Sequence, residues 1–399
     1  MKKICVIGLG YIGLPTASLL ANRGYEVIGV DINKTVVEII NQGKIHIVEP
    51  DLDTSVHSAV KSGKLKAYLQ PKEADIFMIC VPTPFYKNTD IPTPNIDYVL
   101  AATKAIAPYV KDGNIVILES TSPVGTTELV AKTLQENDID ITKLSIAYCP
   151  ERVLPGKIMI ELTENDRVVG GMNEQSTIEV KSFYKTFVTG EVLKTDSKTA
   201  EMSKLVENSY RDVNIAFANE LSILSDNLDI NVWELISLAN RHPRVNILQP
   251  GSGVGGHCIA VDPWFIVSRD KENAKIIKSA REVNNYKTQW CIEKVKSEAL
   301  KYELENKEKP NVALMGLAFK PDIDDLRESP ALYIAQSLID KLNTLIVEPN
   351  VEYVDKIDLK HYNAALKEAD IVVFLVAHRE FKRLDTNGKI VLDFCGVKN

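Results

Sequence analysis

The sequence predicts an α/β protein with two doubly wound lobes, joined by a long central helix and a helical middle domain. Short apolar runs flanked by Gly, Asp and Pro occur in the first part of the chain and again in the last part, and such runs are typical of buried parallel strands. Between them lies a stretch without Pro or Gly whose apolar residues recur at helical spacing. Parallel strands that alternate with helices form doubly wound sheets, so each set of strands predicts one lobe.

The predicted elements follow one another along the chain in three blocks. In the first lobe the predicted strands are 4–7, 27–30, 76–81 and 115–118. In the middle block we predict a long helix over about 195–240, a glycine-rich loop over 249–262 and a further helical stretch to about Leu304. In the last lobe, after a charged segment that ends in Pro310, the predicted strands are 312–315, 345–347, 371–376 and 390–392. We therefore predict domains at 1–194, 195–304 and 305–399.

Length and charge limit the classes of function. A chain of 399 residues is too long for one ordinary core, and 45% hydrophobic residues supply ample apolar surface to bury. With 47 basic and 54 acidic side chains the net charge is -7, which provides no broad cationic surface for a nucleic acid. A phosphorylated ligand must therefore be bound by cations placed locally.

The cysteines and the apolar runs predict a cytoplasmic protein. Six cysteines are scattered along the chain without a CxxC pair, so we expect reduced thiols and no metal site. The first ten residues lead straight into a predicted strand, which leaves no room for a signal peptide. The longest apolar run, 371–377, is far shorter than the roughly 20 residues that span a bilayer, so we expect no membrane association.

A dinucleotide site is predicted at the first strand. Gly8, Gly10 and Gly13 form a GxGxxG sequence between that strand and a helical pattern, as in Rossmann-like lobes, where the backbone approaches a pyrophosphate. Asp31 ends the next strand, where a carboxylate can accept hydrogen bonds from the adenine ribose. The acid favours NAD over NADP, although Lys34 lies nearby. The alternative is that the glycines serve only a tight turn.

Two further strand ends carry hydroxyl groups. Thr83 and Thr121 follow the third and fourth predicted strands, at the edge of the sheet where ligands of such folds bind. Helix capping or turn formation is an equal alternative for each threonine.

A reactive cysteine is predicted in the middle block. Cys258 follows four glycines within the six residues 251–256, and the amides of such a loop can lower the pKa of a thiol. Asp262 follows four residues later and could move protons. A structural thiol is the alternative. The neighbouring His257 receives no catalytic role, because adjacent side chains often point apart.

The predicted long helix contributes three polar residues at helical spacing. Lys204, Asn208 and Arg211 occupy positions i, i+4 and i+7 and so share one face. A solvated polar stripe is the usual explanation for such spacing. The apolar residues around them predict a buried helix, which favours a functional role.

Taken together these elements resemble the UDP-sugar 6-dehydrogenase family, and the resemblance extends over essentially the whole chain. Long ordered runs carry it, and they are far more specific than any single motif. They are residues 6–16, 46–52, 148–156, 211–220, 240–264, 316–321 and 325–330.

The resemblance implies an NAD-dependent oxidation of carbon six of a UDP-linked sugar, UDP-N-acetyl-D-mannosamine in particular, for polysaccharide biosynthesis. Cys258 would form a thiohemiacetal and then a thioester, with two NAD consumed per sugar. Lys204 and Asn208 would stabilise the oxygen at the reacting carbon, and Asp262 would assist proton transfer and hydrolysis. Glu151 is a further implied catalytic residue.

The resemblance also implies binding residues and a homodimer formed through the long helix. The UDP-sugar would contact Arg152, Val153, Lys204, Asn208, Arg211, His242, Arg244, Gly255, Phe319 and Lys320. NAD would contact Gly8, Gly10, Tyr11, Ile12, Gly13, Asp31, Thr83, Thr121 and Arg327. Cys395 stands where a basic residue is expected, so a substrate contact from that position is in doubt.

Three alternatives differ in substrate or in class. The same chemistry could act on UDP-glucose, UDP-N-acetylglucosamine or UDP-N-acetylgalactosamine, since these sugars differ in only a few substituents. A 6-phosphogluconate or 3-hydroxyacid dehydrogenase would transfer two electrons without a cysteine. A non-catalytic nucleotide-sugar sensor would keep the binding lobes, and the joint presence of Cys258, Lys204, Asn208 and Asp262 argues against it.

Overall fold

The computed structural model describes residues 2–87, 89–256 and 258–398. The chain divides into two compact units. Unit 1 extends to Val206 and includes Trp264–Arg269, while unit 2 contains Glu207–Pro263 and the residues from Asp270 onward. Each unit contains a mainly parallel sheet covered by helices, which confirms the predicted fold class with two α/β lobes. The three domain boundaries drawn from the sequence stay a prediction.

Unit 1 is built on eight strands. They are β1 (Lys3–Ile7), β2 (Glu26–Val30), β3 (Leu65–Tyr68), β4 (Ile76–Ile79), β5 (Ile115–Leu118), β6 (Ser145–Tyr148), β7 (Arg167–Gly171) and β8 (Val192–Asp196). Among the described residues they form one sheet in the order β3-β2-β1-β4-β5-β6-β7-β8. All neighbours are parallel except β6 and β7. In β1, Cys5 pairs with Ile28 on β2 and with Phe77 on β4, so the carboxyl ends of these strands meet at one edge.

Helices cover both faces of this sheet. They are α1 (Gly13–Asn22), α2 (Lys34–Asn41), α3 (Leu52–Lys61), α4 (Asp97–Ile106), α5 (Thr126–Gln135), α6 (Ile158–Glu164), α7 (Glu174–Tyr184), the start of α8 (Ser197–Asn227) and most of α10 (Asp262–Arg269). Two short 3-10 helices, Ala107–Tyr109 and Ile141–Lys143, complete the unit. Alternate side chains of β1 enter different cores, Ile4 and Val6 on one face and Cys5 and Ile7 on the other. A sheet buried on both faces explains the continuous apolar runs in the sequence.

Unit 2 combines long helices with a smaller sheet. Its helices are the remainder of α8, α9 (Val232–Ala239), α11 (Lys275–Asn306), α12 (Pro330–Leu338) and α13 (Tyr362–Glu368), with a 3-10 helix at Arg379–Phe381. Its strands are β9 (Asn311–Met315), β10 (Asn343–Val347), β11 (Ile371–Phe374) and β12 (Ile390–Asp393). These described strands form a parallel sheet in the order β10-β9-β11-β12. All four correspond to the strands predicted for the last lobe.

The predicted long helix over 195–240 is wrong at its C-terminal end. Helix α8 stops at Asn227, because Asp229 adopts the left-handed conformation with φ 54° and the amide of Ile230 returns to the carbonyl oxygen of Ser225. A new helix, α9, then begins at the Asn231 side chain, which accepts hydrogen bonds from the amides of Trp233 and Glu234. Aspartate and asparagine make this break without Gly or Pro, so the composition gave no sign of it.

The expectation that α8 is buried is also wrong for one of its faces. Tyr210, Phe217 and Leu224 expose 68%, 52% and 48% of their surface in the single chain. The opposite face is buried and includes the polar residue Asp212, which accepts a hydrogen bond of 2.6 Å from Arg281 on α11. Helix α8 thus keeps an uncovered apolar stripe. Among the described residues, no helix has the length and apolar character of a membrane span.

Candidate active site

The turn after β1 uses its three glycines in two different ways. Gly8 has φ 91°, and a Cβ there would lie 2.6 Å from the carbonyl oxygen of Cys80. A Cβ on Gly13 would lie 1.8 Å from the carbonyl oxygen of Gly8. A Cβ on Gly10 would meet no described atom within 4 Å, so open space faces this residue. The first and third glycines therefore make the turn possible, and the second leaves room for a pyrophosphate to approach the backbone.

Asp31 lies directly beside this turn. Its Oδ2 accepts a hydrogen bond of 3.1 Å from the amide of Leu9, and its Oδ1 accepts one of 2.9 Å from the amide of Asn33. Lys34 is exposed and lies 3.8 Å from the carboxylate of Glu38 on the next turn of α2. The turn and the acid thus form one local structure, as the sequence predicts for a dinucleotide site. Tyr11 and Ile12 lie between Gly10 and the start of α1.

The two predicted threonines meet at the carboxyl edge of the sheet. The hydroxyl of Thr83, after β4, donates a hydrogen bond of 2.7 Å to the carbonyl oxygen of Thr121, after β5. Beside it, the hydroxyl of Ser120 donates to the carbonyl oxygen of Val81 at 2.7 Å. These bonds fix the two segments to each other along the same edge as the glycine turn.

Glu151, Arg152 and Val153 lie in the segment between β6 and α6. The carboxylate of Glu151 is buried, accepts a hydrogen bond of 2.6 Å from the guanidinium of Arg167 and accepts another of 2.7 Å from the amide of Arg152. Arg167 is 1% exposed and also donates to the carbonyl oxygen of Leu162. The ion pair thus holds the segment that carries Arg152 and Val153 against the sheet.

Helix α8 contains Lys204, Asn208 and Arg211, as predicted. Lys204 belongs to unit 1, and the other two belong to unit 2. The side-chain amide of Asn208 donates a hydrogen bond of 2.6 Å to Oδ2 of Asp262, whose side chain is buried. The amide of Asp262 donates in turn to the carbonyl oxygen of Cys258 at 2.8 Å. Three of the five predicted catalytic residues are therefore linked within unit 2.

Accessibility separates Cys258 from the other cysteines. Cys258 is exposed, whereas burial raises the pKa of the Cys5, Cys149 and Cys291 thiols to about 12. Burial also raises the thiol pKa of the two cysteines at positions 80 and 395 well above the usual value. Thiols with raised pKa values are poor nucleophiles at neutral pH.

Close packing within unit 2 requires glycine at positions 253 and 255, shortly before Cys258. A Cβ on Gly253, whose φ is 142°, would lie 2.3 Å from the hydroxyl of Thr288. A Cβ on Gly255 would lie 2.6 Å from the carbonyl oxygen of Glu328 and 2.8 Å from Cβ of Phe319. The cysteine loop therefore lies directly on the segment after β9, and two of the residues named as substrate contacts, Gly255 and Phe319, are neighbours in unit 2. His257 lies outside the described residues.

A cavity of about 220 Å³ lies beside this contact. Residues 249–253 form one wall, and Ala318, Phe319 and Cys395 belong to the other walls. Cys395 thus lies in the wall of the cavity, and its neutral thiol supplies none of the positive charge expected at that position. The cavity is small, and most of the side chains that line it are apolar.

The remaining predicted contacts lie on exposed loops of unit 2. His242 and Arg244 follow α9 in a loop that the Asn240 side chain clamps, since its amide donates to the carbonyl oxygen of Ile247 and its oxygen accepts from the amide of Ile247. Lys320 is exposed next to Phe319. Arg327 forms an ion pair with Asp325 in which both nitrogens of its fork donate.

Residues missed in the sequence hold these segments in place. Glu49 accepts hydrogen bonds of 2.8 Å from the amides of Gly156 and Ile158, and Asn219 accepts one of 2.9 Å from the amide of Gly251. Arg167 binds Glu151, as described above. Glu49 lies in the run 46–52, which is part of the resemblance. The pairing of that run with residues 156–158 is not visible in a linear pattern.

One trio of side chains has the spacing of a metal site. Ligand atoms of Asp322, His378 and Glu380 lie within 4.8 Å of one another. Nδ1 of His378 already accepts a hydrogen bond of 3.0 Å from the amide of Asp322, and its Nε2 lies 3.1 Å from the Glu348 carboxylate. The ring therefore has partners on both nitrogens within the protein. The expectation that no metal is needed stays a prediction.

The fold and the glycine turn define a dinucleotide-binding protein of the two-lobed α/β class. Comparison with known families then assigns the chain in three consecutive parts. Residues 2–188 match the NAD binding domain of the UDP-glucose/GDP-mannose dehydrogenase family, residues 198–286 match its central domain, and residues 313–398 match its UDP binding domain. The chain belongs to this family. The predicted family and the predicted cofactor, NAD, are confirmed.

Individual relatives match over nearly their whole length. A UDP-N-acetyl-D-mannosamine dehydrogenase of Campylobacter jejuni is 56% identical, with 99% of each chain covered. An NDP-N-acetyl-D-galactosaminuronic acid dehydrogenase of Ralstonia nicotianae is 51% identical, with 99% of this chain and 96% of the relative covered. The solved structure of a UDP-D-ManNAc dehydrogenase from Pyrococcus horikoshii has a TM-score of 0.88 at 36% identity, and covers 100% of this chain and 96% of that one. The chain is thus an NAD-dependent oxidoreductase of UDP-sugars.

Proposed function

We propose that the protein oxidises carbon six of UDP-N-acetyl-D-mannosamine from alcohol to carboxylate in two successive steps, with Cys258 as the covalent nucleophile. The contact of Asn208 with Asp262, next to the backbone of the exposed Cys258, carries the chemistry. More than half of the residues are shared with a relative that bears this substrate in its name, which supports the choice of sugar.

NAD, when bound, would supply the hydride acceptor for both oxidations, and in the first one the hydroxyl group at carbon six would also lose its proton to a base, which gives the aldehyde. After the first oxidation the sulfur of Cys258 would attack the aldehyde carbon, and a proton would pass to the oxygen to give a thiohemiacetal. Loss of the second hydride and of the hydroxyl proton leaves a thioester. Water then cleaves the carbon-sulfur bond, which yields the carboxylate and restores the thiol. The covalent bond keeps the reactive aldehyde in the site between the two oxidations.

The polar residues of α8 and the cysteine loop would manage charge and protons. Lys204 and Asn208 would stabilise the negative charge that develops on the oxygen at carbon six. Asp262 would accept the proton of the attacking water. Its hydrogen bond with Asn208 would keep the two groups in a fixed relation. Glu151, the remaining proposed catalytic residue, lies in the segment after β6. Its carboxylate forms an ion pair with Arg167 and would hold the backbone of Arg152 in place.

The UDP moiety requires local cations, because the net charge of the chain is -7. The cations would come from the side chains of Arg152, Arg211, Arg244 and Lys320. Arg327 would contact NAD. Val153, His242, Gly255 and Phe319 would complete the substrate site. The contact of Gly255 with Phe319, beside the cavity of about 220 Å³, supports a nucleotide-binding role for this part of unit 2.

We also propose a homodimer formed through α8. The exposed residues Tyr210, Phe217 and Leu224 recur at intervals of seven, and so form one apolar stripe along the helix. An apolar stripe of this kind is unfavourable in water. A second copy of the chain, packed against it, would bury the stripe and so stabilise a dimer. The cytoplasmic location and the use of the product in polysaccharide biosynthesis stay predictions.

The count of NADH formed per UDP-sugar consumed tests the proposal directly. We expect two NADH per UDP-N-acetyl-D-mannosamine, and one would refute the four-electron mechanism. Cys258→Ser should bind the nucleotide but lose carboxylate production by at least about 100-fold, because the hydroxyl is a far weaker nucleophile. Cys291→Ala, at a buried cysteine, is the control and should still give two NADH.

A parallel assay with other sugars decides the substrate. UDP-N-acetylgalactosamine is the strongest alternative, because a relative named for N-acetyl-D-galactosaminuronic acid shares 51% identity. UDP-glucose and UDP-N-acetylglucosamine complete the series. A higher kcat/KM for any of these three than for UDP-N-acetyl-D-mannosamine would reject the sugar assignment and leave the chemistry intact. Nucleotide binding without any NADH would instead indicate a non-catalytic sensor.

A further inference from the structure

Glu201 is a buried carboxylate in the second turn of α8, with no exposed surface. One oxygen accepts a hydrogen bond of 2.6 Å from the amide of Gly125. The other accepts bonds of 2.7 and 2.6 Å from the amide and the hydroxyl of Thr127. A buried carboxylate is costly unless donors surround it, and these three donors at the N-terminus of α5 meet that need.

The donors belong to the cofactor side of unit 1. Gly125 is the N-cap residue of α5, with φ 94°, and it ends the segment that begins after β5. That segment includes Thr121, whose carbonyl oxygen binds Thr83. The N-terminus of α5 therefore binds a carboxylate of the protein, which leaves the N-terminus of α1 to receive the pyrophosphate of the cofactor.

The acceptor belongs to the helix of the catalytic lysine. Lys204 lies three residues after Glu201, almost one turn further along α8. The start of α8 is fixed at a second point, because a Cβ on Gly170 would lie only 2.6 Å from Cβ of Ala200. Within unit 1 the position of Lys204 is thus tied to the segment that carries Thr121.

We propose that Glu201 is a positioning residue, which holds Lys204 at a fixed distance from the cofactor-binding segment during hydride transfer. The inference rests on the proposed role of Lys204. Hydride transfer requires the reacting atoms at about 3 to 3.5 Å, and small displacements reduce the rate steeply. Loss of the Glu201 bonds therefore slows the chemical step more than it weakens the binding of either ligand.

Glu201→Gln tests the inference, since it keeps the shape and replaces one acceptor oxygen with a donor. We expect kcat to fall at least about tenfold, while the KM values for NAD and the UDP-sugar change less than about threefold. The primary isotope effect on kcat, measured with a UDP-sugar deuterated at carbon six, should increase because hydride transfer becomes rate-limiting. A loss of folded protein alone lowers the apparent kcat and leaves the isotope effect unchanged.

Two further variants complete the design. Thr127→Val removes one donor and preserves the two backbone bonds, so it should fold and show a smaller change in the same direction. Glu128→Gln is the matched control, because Glu128 also joins α5 to α8, through an exposed ion pair with Lys198 at 2.8 Å. It should match the parent in kcat and isotope effect.

The possible outcomes distinguish a failure of the proposed function from a failure of the positioning role of Glu201. If the parent enzyme produces no NADH from UDP-sugars, the proposed function fails. If the parent is active and both Glu201→Gln and Thr127→Val keep its kcat and isotope effect, only the positioning role is overturned. If Glu201→Gln does not fold, an unchanged isotope effect in Thr127→Val overturns it as well.

Discussion

Three buried carboxylates of unit 1 accept hydrogen bonds from backbone amides, and two of them, Glu49 and Glu201, do so from segments that are distant in the sequence. Glu49 binds the amides of residues 156 and 158, Glu151 binds the amide of its neighbour Arg152 together with Arg167, and Glu201 binds the start of α5. Each carboxylate satisfies donors that would otherwise be buried without partners. The loops around the predicted site are therefore held by single side chains, whose removal would leave donors unsatisfied.

The open space beside Gly10 predicts how its replacement by alanine affects stability and NAD binding. Gly10→Ala should leave the melting temperature unchanged, because the new methyl group meets no described protein atom within 4 Å. It should raise the Kd for NAD about tenfold, or about 1.4 kcal/mol, since the methyl group occupies space needed by the pyrophosphate. Isothermal titration with NAD and a thermal melt measure the two effects.

Gly13→Ala is the contrasting variant. Its Cβ would lie 1.8 Å from the Gly8 carbonyl oxygen, so the turn itself must shift and stability must fall. Unaltered NAD affinity in Gly10→Ala would show that the pyrophosphate binds elsewhere.

Among the elements, α8 makes contacts of several kinds. Its first turns bind the cofactor side of unit 1 through Glu201, and its middle carries Asn208, which is bonded to Asp262. One face contributes to the core of unit 2 through the ion pair of Asp212 with Arg281, while another presents the apolar stripe. The mixture of buried polar and exposed apolar residues explains why periodicity predicted the helix but not its environment.

The stripe on α8 supports a prediction about assembly. Phe217→Glu and Leu224→Glu each place a charge in the proposed interface and should convert a dimer into monomers, because an unpaired charge buried in an apolar contact is costly. Light scattering after size exclusion measures the mass. Tyr353→Glu is the control, since Tyr353 is 74% exposed on a loop outside α8. A parent protein that elutes as a monomer at micromolar concentration would contradict the proposal.

For the whole molecule, buried thiols predict reduced stability at alkaline pH. Burial raises the pKa of Cys5, Cys149 and Cys291 to about 12, whereas thiols in the unfolded chain ionise near pH 9. Between these values the unfolded state has lost protons that the folded state keeps, so the free energy of unfolding falls as pH rises. Each thiol contributes a loss of about 1.4 kcal/mol between pH 8 and pH 10.

Cys5→Ala should remove one such contribution. The decrease in unfolding free energy between pH 8 and pH 10 should become smaller by about that amount, as measured by urea unfolding in reducing buffer. Ile7→Val, a truncation in the same strand, is the control and should keep the decrease of the parent. Equal decreases in the two variants would contradict the attribution to the thiol.

Buried strands that consist of a continuous apolar run, such as β1, β4 and β5, could be predicted from the sequence. Half of the strands of unit 1 could not. In β3 and β8, at the edges of the sheet, polar and apolar residues mix because only part of each strand is covered, and β7 ends in two glycines that close packing against residues 173–200 requires. Residues in motifs, such as Gly8, Asp31 and Cys258, could be proposed as site residues from the sequence, because each motif is a local pattern.

The sequence by itself determined the two-lobed α/β class, the glycine turn with its acid, and the thiol preceded by glycines, because each depends on neighbours along the chain. Only the tertiary structure decided that Asn208 binds Asp262, that the glycine loop lies on Phe319, and that Glu49 and Glu201 bind amides about 75 to 110 residues away. The physical reason is that a buried polar group must find its partner in space, and packing, not sequence distance, determines which group that partner is.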